Sequence, residues 1–337
     1  MDPDMMQPEV SYSILDLKEF TDRDPNPVIA FYGGEPLLRI PLLKEIMDTV
    51  PAKWFMLQTN ASYLHQLEPE YVNRLQTLLV SIDGRKFITD HYRSNGVYDT
   101  VVKNVHHVLD NGFDNDLIAR MAISRESDIF KEVTHLLGLG IFDHIHWQLD
   151  VFWCEEGSWD IQRWIDKLYN PGITKLVDFW YDAMCEGAIL GFVPFQAVMK
   201  TLLRGETSGM RCGAGSDCFA ITTTGDITIC PICPDFDFAN VGNIHTTDPE
   251  DIRDVMTVGT PCPECEIYGI CGGRCLFANH AKLWSDEGFE IVCGTVKHLV
   301  SELVRIQPGI EKLIEDGILS MEDFEYPLTN NCCEIIP

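Results

Sequence analysis

No apolar run in this chain approaches the ~18 residues that a membrane-spanning helix requires; the longest candidate, 187–195, is far too short. The opening MDPDMMQPEV lacks the basic stretch and the apolar stretch of a signal peptide. The fourth position from the end is Glu334, where a prenylation box would need cysteine. Basic residues are scarce: 25 Lys and Arg stand against 52 Asp and Glu, for a net charge of −27. A surface of that sign repels phosphate backbones and anionic lipid, so neither nucleic acid nor membrane is expected as a partner. Cysteine is missing from the first part of the chain, since none of the thirteen precedes Cys154. Without a secretion signal a disulfide framework is not expected. In a cytoplasmic, reducing setting such cysteines bind metal or do redox chemistry.

What is present begins with an alternation. Runs rich in β-branched and aromatic residues recur at Val28–Tyr32, Trp54–Gln58, Leu78–Ile82, Ile118–Ile123 and His144–Phe152. Between them lie apolar residues at helical spacing: Ile14, Leu15 and Leu17; Leu42, Leu43, Ile46 and Met47; Val97 to Leu109, ending at Asn111-Gly112; and Asp128 to Leu139. Strand and helix repeated in this way predict a parallel sheet of βαβ units, as an open sheet or an incomplete barrel. Residues 158–203 read as helical, and the turn-rich 205–215 marks a boundary. Beyond it the chain is rich in Cys, Gly and Pro and needs a metal as its core. A last helix is predicted over Thr295–Ile306. The organisation expected is therefore 1–157, a helical connector at 158–204, a cysteine-rich domain at 205–306, and a tail at 307–337.

Nine cysteines fall in that domain, and eight of them are spaced Cys212-x5-Cys218-x11-Cys230 and Cys262-x2-Cys265-x5-Cys271-x3-Cys275-x17-Cys293. A CxxC turn brings two thiolates to one centre, and Pro261, Pro263, Gly269, Gly272 and Gly273 supply the turns. A single CxxC fits a zinc knuckle or a redox dithiol equally well. Eight cysteines are the number that gives four thiolates to each of two cubane clusters.

This register, with Gly225 ahead of Cys230, resembles the SPASM domain of radical S-adenosylmethionine (SAM) enzymes that mature peptides and proteins. The resemblance implies one auxiliary [4Fe–4S] cluster on Cys212, Cys218, Cys230 and Cys275, and a second on Cys262, Cys265, Cys271 and Cys293. In sulfatase-maturating members an Asp usually follows the third cysteine. Here Pro231 does, with Asp235 the nearest acid, which argues against oxidation of serine or cysteine to formylglycine. Cys233 is left as a thiol that could lie near substrate.

The N-terminal part resembles the same family. Phe31-Tyr32-Gly33-Gly34-Glu35-Pro36 follows a strand, and the two glycines let a ligand approach a backbone flanked by a carboxylate. It is similar to the motif that grips the methionyl amino group of SAM. By the same resemblance Gly33, Gly34, Glu35, Thr59, Asn60, Ser81, Asp83 and Arg93 bind the cofactor, with Arg120 a weaker member. The fold implied is a partial (β/α)6 radical SAM barrel followed by a SPASM iron–sulfur domain. The function implied is generation of a 5′-deoxyadenosyl radical that modifies a peptide or protein substrate. Two auxiliary clusters would transfer electrons, fed by a reductant such as flavodoxin or ferredoxin under anaerobic conditions. Glu155, Glu156, Asp182 and Tyr181 are candidate site acids.

One departure is large. The CxxxCxxC motif that binds the SAM-cleaving cluster is absent, as is a first strand. The expectation is a truncated enzyme, inactive alone. The alternatives are a degenerate two-cluster scaffold for electron transfer or peptide binding, and a zinc-binding interaction protein.

Overall fold

The computed structural model describes residues 9–150, 159–327 and 336–337. Five parallel strands run in sequence order: β1 (Val28–Phe31), β2 (Trp54–Thr59), β3 (Leu75–Ser81), β4 (Asp116–Ile123) and β5 (His144–Leu149). Parallel neighbours need crossovers, and helices supply them. After α1 (Ile14–Thr21), these are α2 (Ile40–Thr49), the single turn α3 (Pro69–Val72), α4 (Lys86–Arg93), α5 (Val97–Asp110) and α6 (Ile129–Leu139). Caps explain several boundaries. Ser13 and Asp16 form a capping box before α1, and the Asp128 side chain accepts from Lys131 N to start α6.

The sheet has two chemically distinct faces because strand side chains alternate. Leu57, Leu78, Val80, Ala119, Met121 and Trp147 point into the main core with the helices. On the other face Met56, Leu79 and Ile118 pack with Val193 as an apolar floor. Above that floor the same face turns polar: Ser81, Arg120 and His146 share one row of the register, and Ala122 pairs with Gln148 in the next. The polar rows lie towards the C-terminal ends of the strands, where sites on parallel sheets form.

α7 (Ile161–Trp164), a π-helical turn (Ile165–Tyr169), α8 (Asn170–Cys185) and α9 (Val193–Arg204) follow. They close the β5 side. Ile145 donates to the carbonyl of Gly191 at 2.7 Å, and a Cβ on Gly191 would stand 2.1 Å from the oxygen of Asp143. The residues read as a connector thus carry Trp180, Phe195 and Val198 into the same core as the sheet.

The cysteine-rich region has little regular structure: β6 (Ala220–Ile221), β7 (Asp226–Thr228) and β8 (Asn240–Asn243) form an antiparallel sheet, followed by the short helices α10 (Tyr268–Cys271) and α11 (Leu276–Ala281). α12 runs from Ser285 to Glu315. The predicted Thr295–Ile306 is only its middle, and the residue 306/307 boundary falls inside it. Gly288, where a Cβ would stand 2.3 Å from Trp284 Cβ, and Pro308 both lie within the helix. Packing of Val296, Leu299, Leu303 and Ile310 in the core overrides those local breaks. No helix among the described residues is long and apolar enough to cross a membrane.

Candidate functional site

At the end of β1, Gly33 takes φ +111°, a conformation that favours glycine. A Cβ on Gly33 or Gly34 would meet nothing within 4 Å, so the glycines front open space. Glu35 is fixed from three sides. Its Oε1 accepts from Leu37 N at 3.0 Å and from Thr59 Oγ1 at 2.7 Å, and its Oε2 accepts from Asn60 N at 2.8 Å. Two carboxylate oxygens have about four acceptor positions, so one stays available to a cationic ligand. Thr59 is buried and also accepts from Ala61 N at 2.9 Å. Its position suits it to hold Glu35. Asn60 Oδ1 accepts from Ser62 N at 2.8 Å, shaping the same turn.

Asp83 and Arg93 come together, but on each other. Arg93 Nε and Nη2 reach the two carboxylate oxygens at 2.6 and 2.7 Å, and Ala122 N donates to Oδ1 at 2.8 Å. Asp83 is 1% exposed. The pair ties the β3–α4 turn to β4. Next to it Gly84 takes φ +121°, and a Cβ there would stand 2.5 Å from Glu132 Cβ. Glu132 is itself fully buried against Arg85 at 2.6 Å. Ser81 and Arg120 lie on the polar face, with Arg120 donating to the carbonyl of Met121 at 3.0 Å.

Sequence reasoning missed Asp150. It follows β5 directly at the site end of the sheet, and its N donates to the carbonyl of Ile123 at 2.8 Å. Burial holds its carboxyl above the usual range, against a hydrogen bond from Ser124 and with a push from Asp83. The only sequence signal is an acid at a strand's C-terminal end. An acid with a raised folded pKa favours the fold while protonated. That contribution is complete below the ordinary ~3.9 and is lost as pH rises through the folded value. Asp150→Asn is therefore expected to melt above the wild type near neutrality, with the gap closing towards about pH 4. Paired thermal melts check this; a gap of constant size would count against it.

Of the other acids, Tyr181 faces Gly309 of α12 and Asp182 is exposed on the same helix as Tyr181. Glu155 and Glu156 lie outside the described residues, as do Cys154, Cys332 and Cys333.

The thiols that act on Cys212 differ from those that act on Cys262 and Cys293. Burial pushes the Cys212 thiol well up, and the neighbouring charges of Cys275, Cys218 and Cys230 push it further. Burial likewise raises Cys262, with Cys271 and Cys265 adding. Cys293 is pushed up to about 11 by burial, with Cys262, Cys271 and Cys265 beside it. Cys233 is fully buried, its Sγ 3.3 Å from the carbonyl oxygen of Cys230.

Among the described residues no three Cys, His, Asp or Glu converge on a single-ion site. A lone zinc needs all its thiolates at about 2.3 Å from one point. The donor environment fits thiolate ligands too. Ala278 N points at Cys275 Sγ at 3.4 Å and Asn279 Nδ2 at Cys262 Sγ at 3.5 Å. Backbone N–H groups of Ala214 and Gly273 favour the thiolates of Cys212 and Cys271. Gly272 makes the loop possible, since a Cβ there would stand 1.8 Å from the Gly209 oxygen.

No family model matches the chain. A cysteine-type anaerobic sulfatase-maturating enzyme of Clostridium perfringens is 24% identical over 142 residues, 38% of this chain and 38% of that enzyme. The match thus spans about two fifths of the curated relative's length. Among solved structures, native anSMEcpe with bound AdoMet superposes with a TM-score of 0.69 at 17% identity, covering 90% of this chain and 91% of that one. Streptococcus suis SuiB bound to precursor peptide SuiA superposes with a TM-score of 0.50 at 15% identity, over 78% of this chain and 65% of that one. The likeness in structure shows the fold: a five-stranded parallel α/β sheet followed by a cysteine-rich region, arranged as in anSMEcpe.

Proposed function

We propose that this chain is the SAM-binding and auxiliary-cluster part of a radical SAM enzyme that modifies a peptide or protein. The observation carrying the reading is the spacing of eight cysteines from Cys212 to Cys293, behind a parallel sheet whose end presents Glu35 beside two open glycines. Support also comes from anSMEcpe, solved with AdoMet and with the Cp18Cys peptide, and from SuiB with its precursor peptide.

When bound, SAM and the clusters supply hydrogen-abstracting radical chemistry and electron acceptance. The chain's own residues do the rest. Glu35 receives the methionyl ammonium through its remaining acceptor position, and Thr59 keeps that carboxylate from turning. The Gly33–Gly34 backbone offers polar groups without side chains in the way. The polar face bearing Ser81, Arg120 and Gln148 fronts the same space. Cys212, Cys218, Cys230 and Cys275 would hold one cluster and Cys262, Cys265, Cys271 and Cys293 the other. Pro231 after Cys230 argues for a reaction other than formylglycine formation. A flavodoxin or ferredoxin is the reductant proposed.

Anaerobic reconstitution is expected to give about eight irons and eight sulfides per chain; zinc in place of iron would sink the reading. Glu35→Gln is expected to weaken SAM binding roughly tenfold to a hundredfold, the scale of one hydrogen bond to a charged group, with an unchanged iron count. Calorimetric titration measures this, and equal affinity of the two proteins would remove Glu35 from the site.

A second reading, a non-catalytic two-cluster scaffold, is favoured by the lack of CxxxCxxC in these residues. Supplying such a loop ahead of α1 and assaying 5′-deoxyadenosine with dithionite separates the two. Product supports the enzyme, and its absence from a protein with full iron supports the scaffold.

A further inference from the structure

α11 begins directly after Cys275 and carries Asn279 one turn further on. Asparagine is a poor helix former, and Asn279 is 4% exposed, so its amide needs partners inside the protein. Three are in place. Its Oδ1 accepts from Gly259 N at 2.7 Å, and its Nδ2 donates to Gly259 O at 3.1 Å. A backbone N–H only donates and a carbonyl only accepts, so this pair fixes which end of the amide is oxygen and which is nitrogen. One Nδ2 hydrogen is left over. Cys262 Sγ stands 3.5 Å from that nitrogen, within hydrogen-bonding reach of sulfur.

Fastening the loop does not account for this third contact. The turn from Gly259 to Cys262 is closed by its own backbone, since Cys262 N donates to Gly259 O at 3.1 Å. The next residue of α11 ties the same loop from its other end, with His280 Nε2 donating to Thr257 O at 2.9 Å. The loop is therefore held without the second Nδ2 hydrogen. That hydrogen is directed at a buried thiol.

We propose that Asn279 is a positioning residue for the cluster held by Cys262, whose Nδ2–H orients that thiolate and raises the reduction potential of that one centre. The inference rests on the cluster reading above. A cubane on four thiolates is anionic and becomes more so on reduction, and a hydrogen bond to a ligand sulfur favours the more negative state. The donor is neutral and touches a single sulfur. Its removal therefore acts on one cluster and leaves the other as an internal reference.

The test compares anaerobically reconstituted wild type, Asn279→Leu and Asn279→Ala. Leucine keeps much of the shape without a donor, and alanine removes the amide while His280 still holds the loop. Iron and sulfide counts come first, then potentiometric titration monitored by electron paramagnetic resonance. In either variant with wild-type iron, the reduction equilibrium of one cluster is expected to fall about tenfold, a downward shift of about 59 mV for one electron. The other potential is expected to stay in place. Pulsed resonance of reduced wild type, made with asparagine isotopically labelled in its amide nitrogen, is expected to show a nitrogen coupling to the cluster that moves. Equal movement of both potentials, movement of neither, or a wild type without the coupling overturns the proposal. Should both variants fail to take up iron, the coupling in the wild type decides alone. A wild type that takes up no iron overturns the cluster reading itself, and the iron count separates that failure from the others.

Discussion

Stripping iron from the reconstituted protein anaerobically is expected to unfold residues 209–283 while the parallel sheet stays folded. The small core of the cysteine-rich region contains Ala214, Ile229, Val258, Leu276, Phe277 and Phe289, with Cys212, Cys230, Cys262, Cys275 and Cys293 packed into it. Its strands are two, three and four residues long, too short to stand as an independent sheet. Metal binding to such a domain is a large part of its folding free energy, on the order of 10 kcal/mol for a structural site. The sheet, by contrast, is backed by a continuous core that includes Leu57, Leu78, Met121, Trp147 and Trp180. Hydrogen exchange read by peptide is the measurement. Protection should vanish over 209–283 and persist over β2, β3 and β4. Loss of both together, or of neither, would contradict the division of labour described.

Arg93→Ala is expected to destabilise the protein by about 3–5 kcal/mol, the cost of leaving one member of a buried pair alone. The asymmetry of the pair decides which deletion hurts more. The Arg93 side chain is 25% exposed and that of Asp83 1%, so an abandoned guanidinium can reach water and an abandoned carboxylate cannot. Asp83→Asn combined with Arg93→Ala is expected to recover much of the loss, because asparagine still accepts from Ala122 N without a charge. Denaturant titration of the two variants and the wild type measures this. A double variant no better than Arg93→Ala would mean that the cost is lost packing. If Arg93 acts mainly on the cofactor, as the family resemblance implies, the single variant would weaken SAM binding at unchanged stability.

The sheet was legible because parallel strands buried on one face read as dense apolar runs. β3 was the least well bounded. It starts at Leu75, where Gln76 and Thr77 interrupt the hydrophobic pattern although Thr77 is fully buried. The glycine turn before Glu35 was legible as a motif, but the grip of Thr59 on the carboxylate was not. A hydrogen bond across neighbouring strands depends on their register, and no local pattern carries it. Asp150 was passed over for the same reason, since its environment comes from Ser124 and Asp83, just past the ends of β4 and β3. α12 was read too short because Gly288, Gly294 and Pro308 look like stops, whereas tertiary packing carries the helix through them. The cysteine spacing was legible as a count.

α12 places Cys293 near its start, then Leu299, Leu303 and Ile310 in the core beside the sheet. Its 31 residues correspond to about 46 Å of rigid rod. A cysteine of the cysteine-rich region, Cys293, and the packing behind the sheet are thus welded to one beam, with no linker between them along this path. Swinging the two parts away from each other would require breaking that helix. Along this path the two parts therefore shift together, as one body, rather than as halves of a hinge.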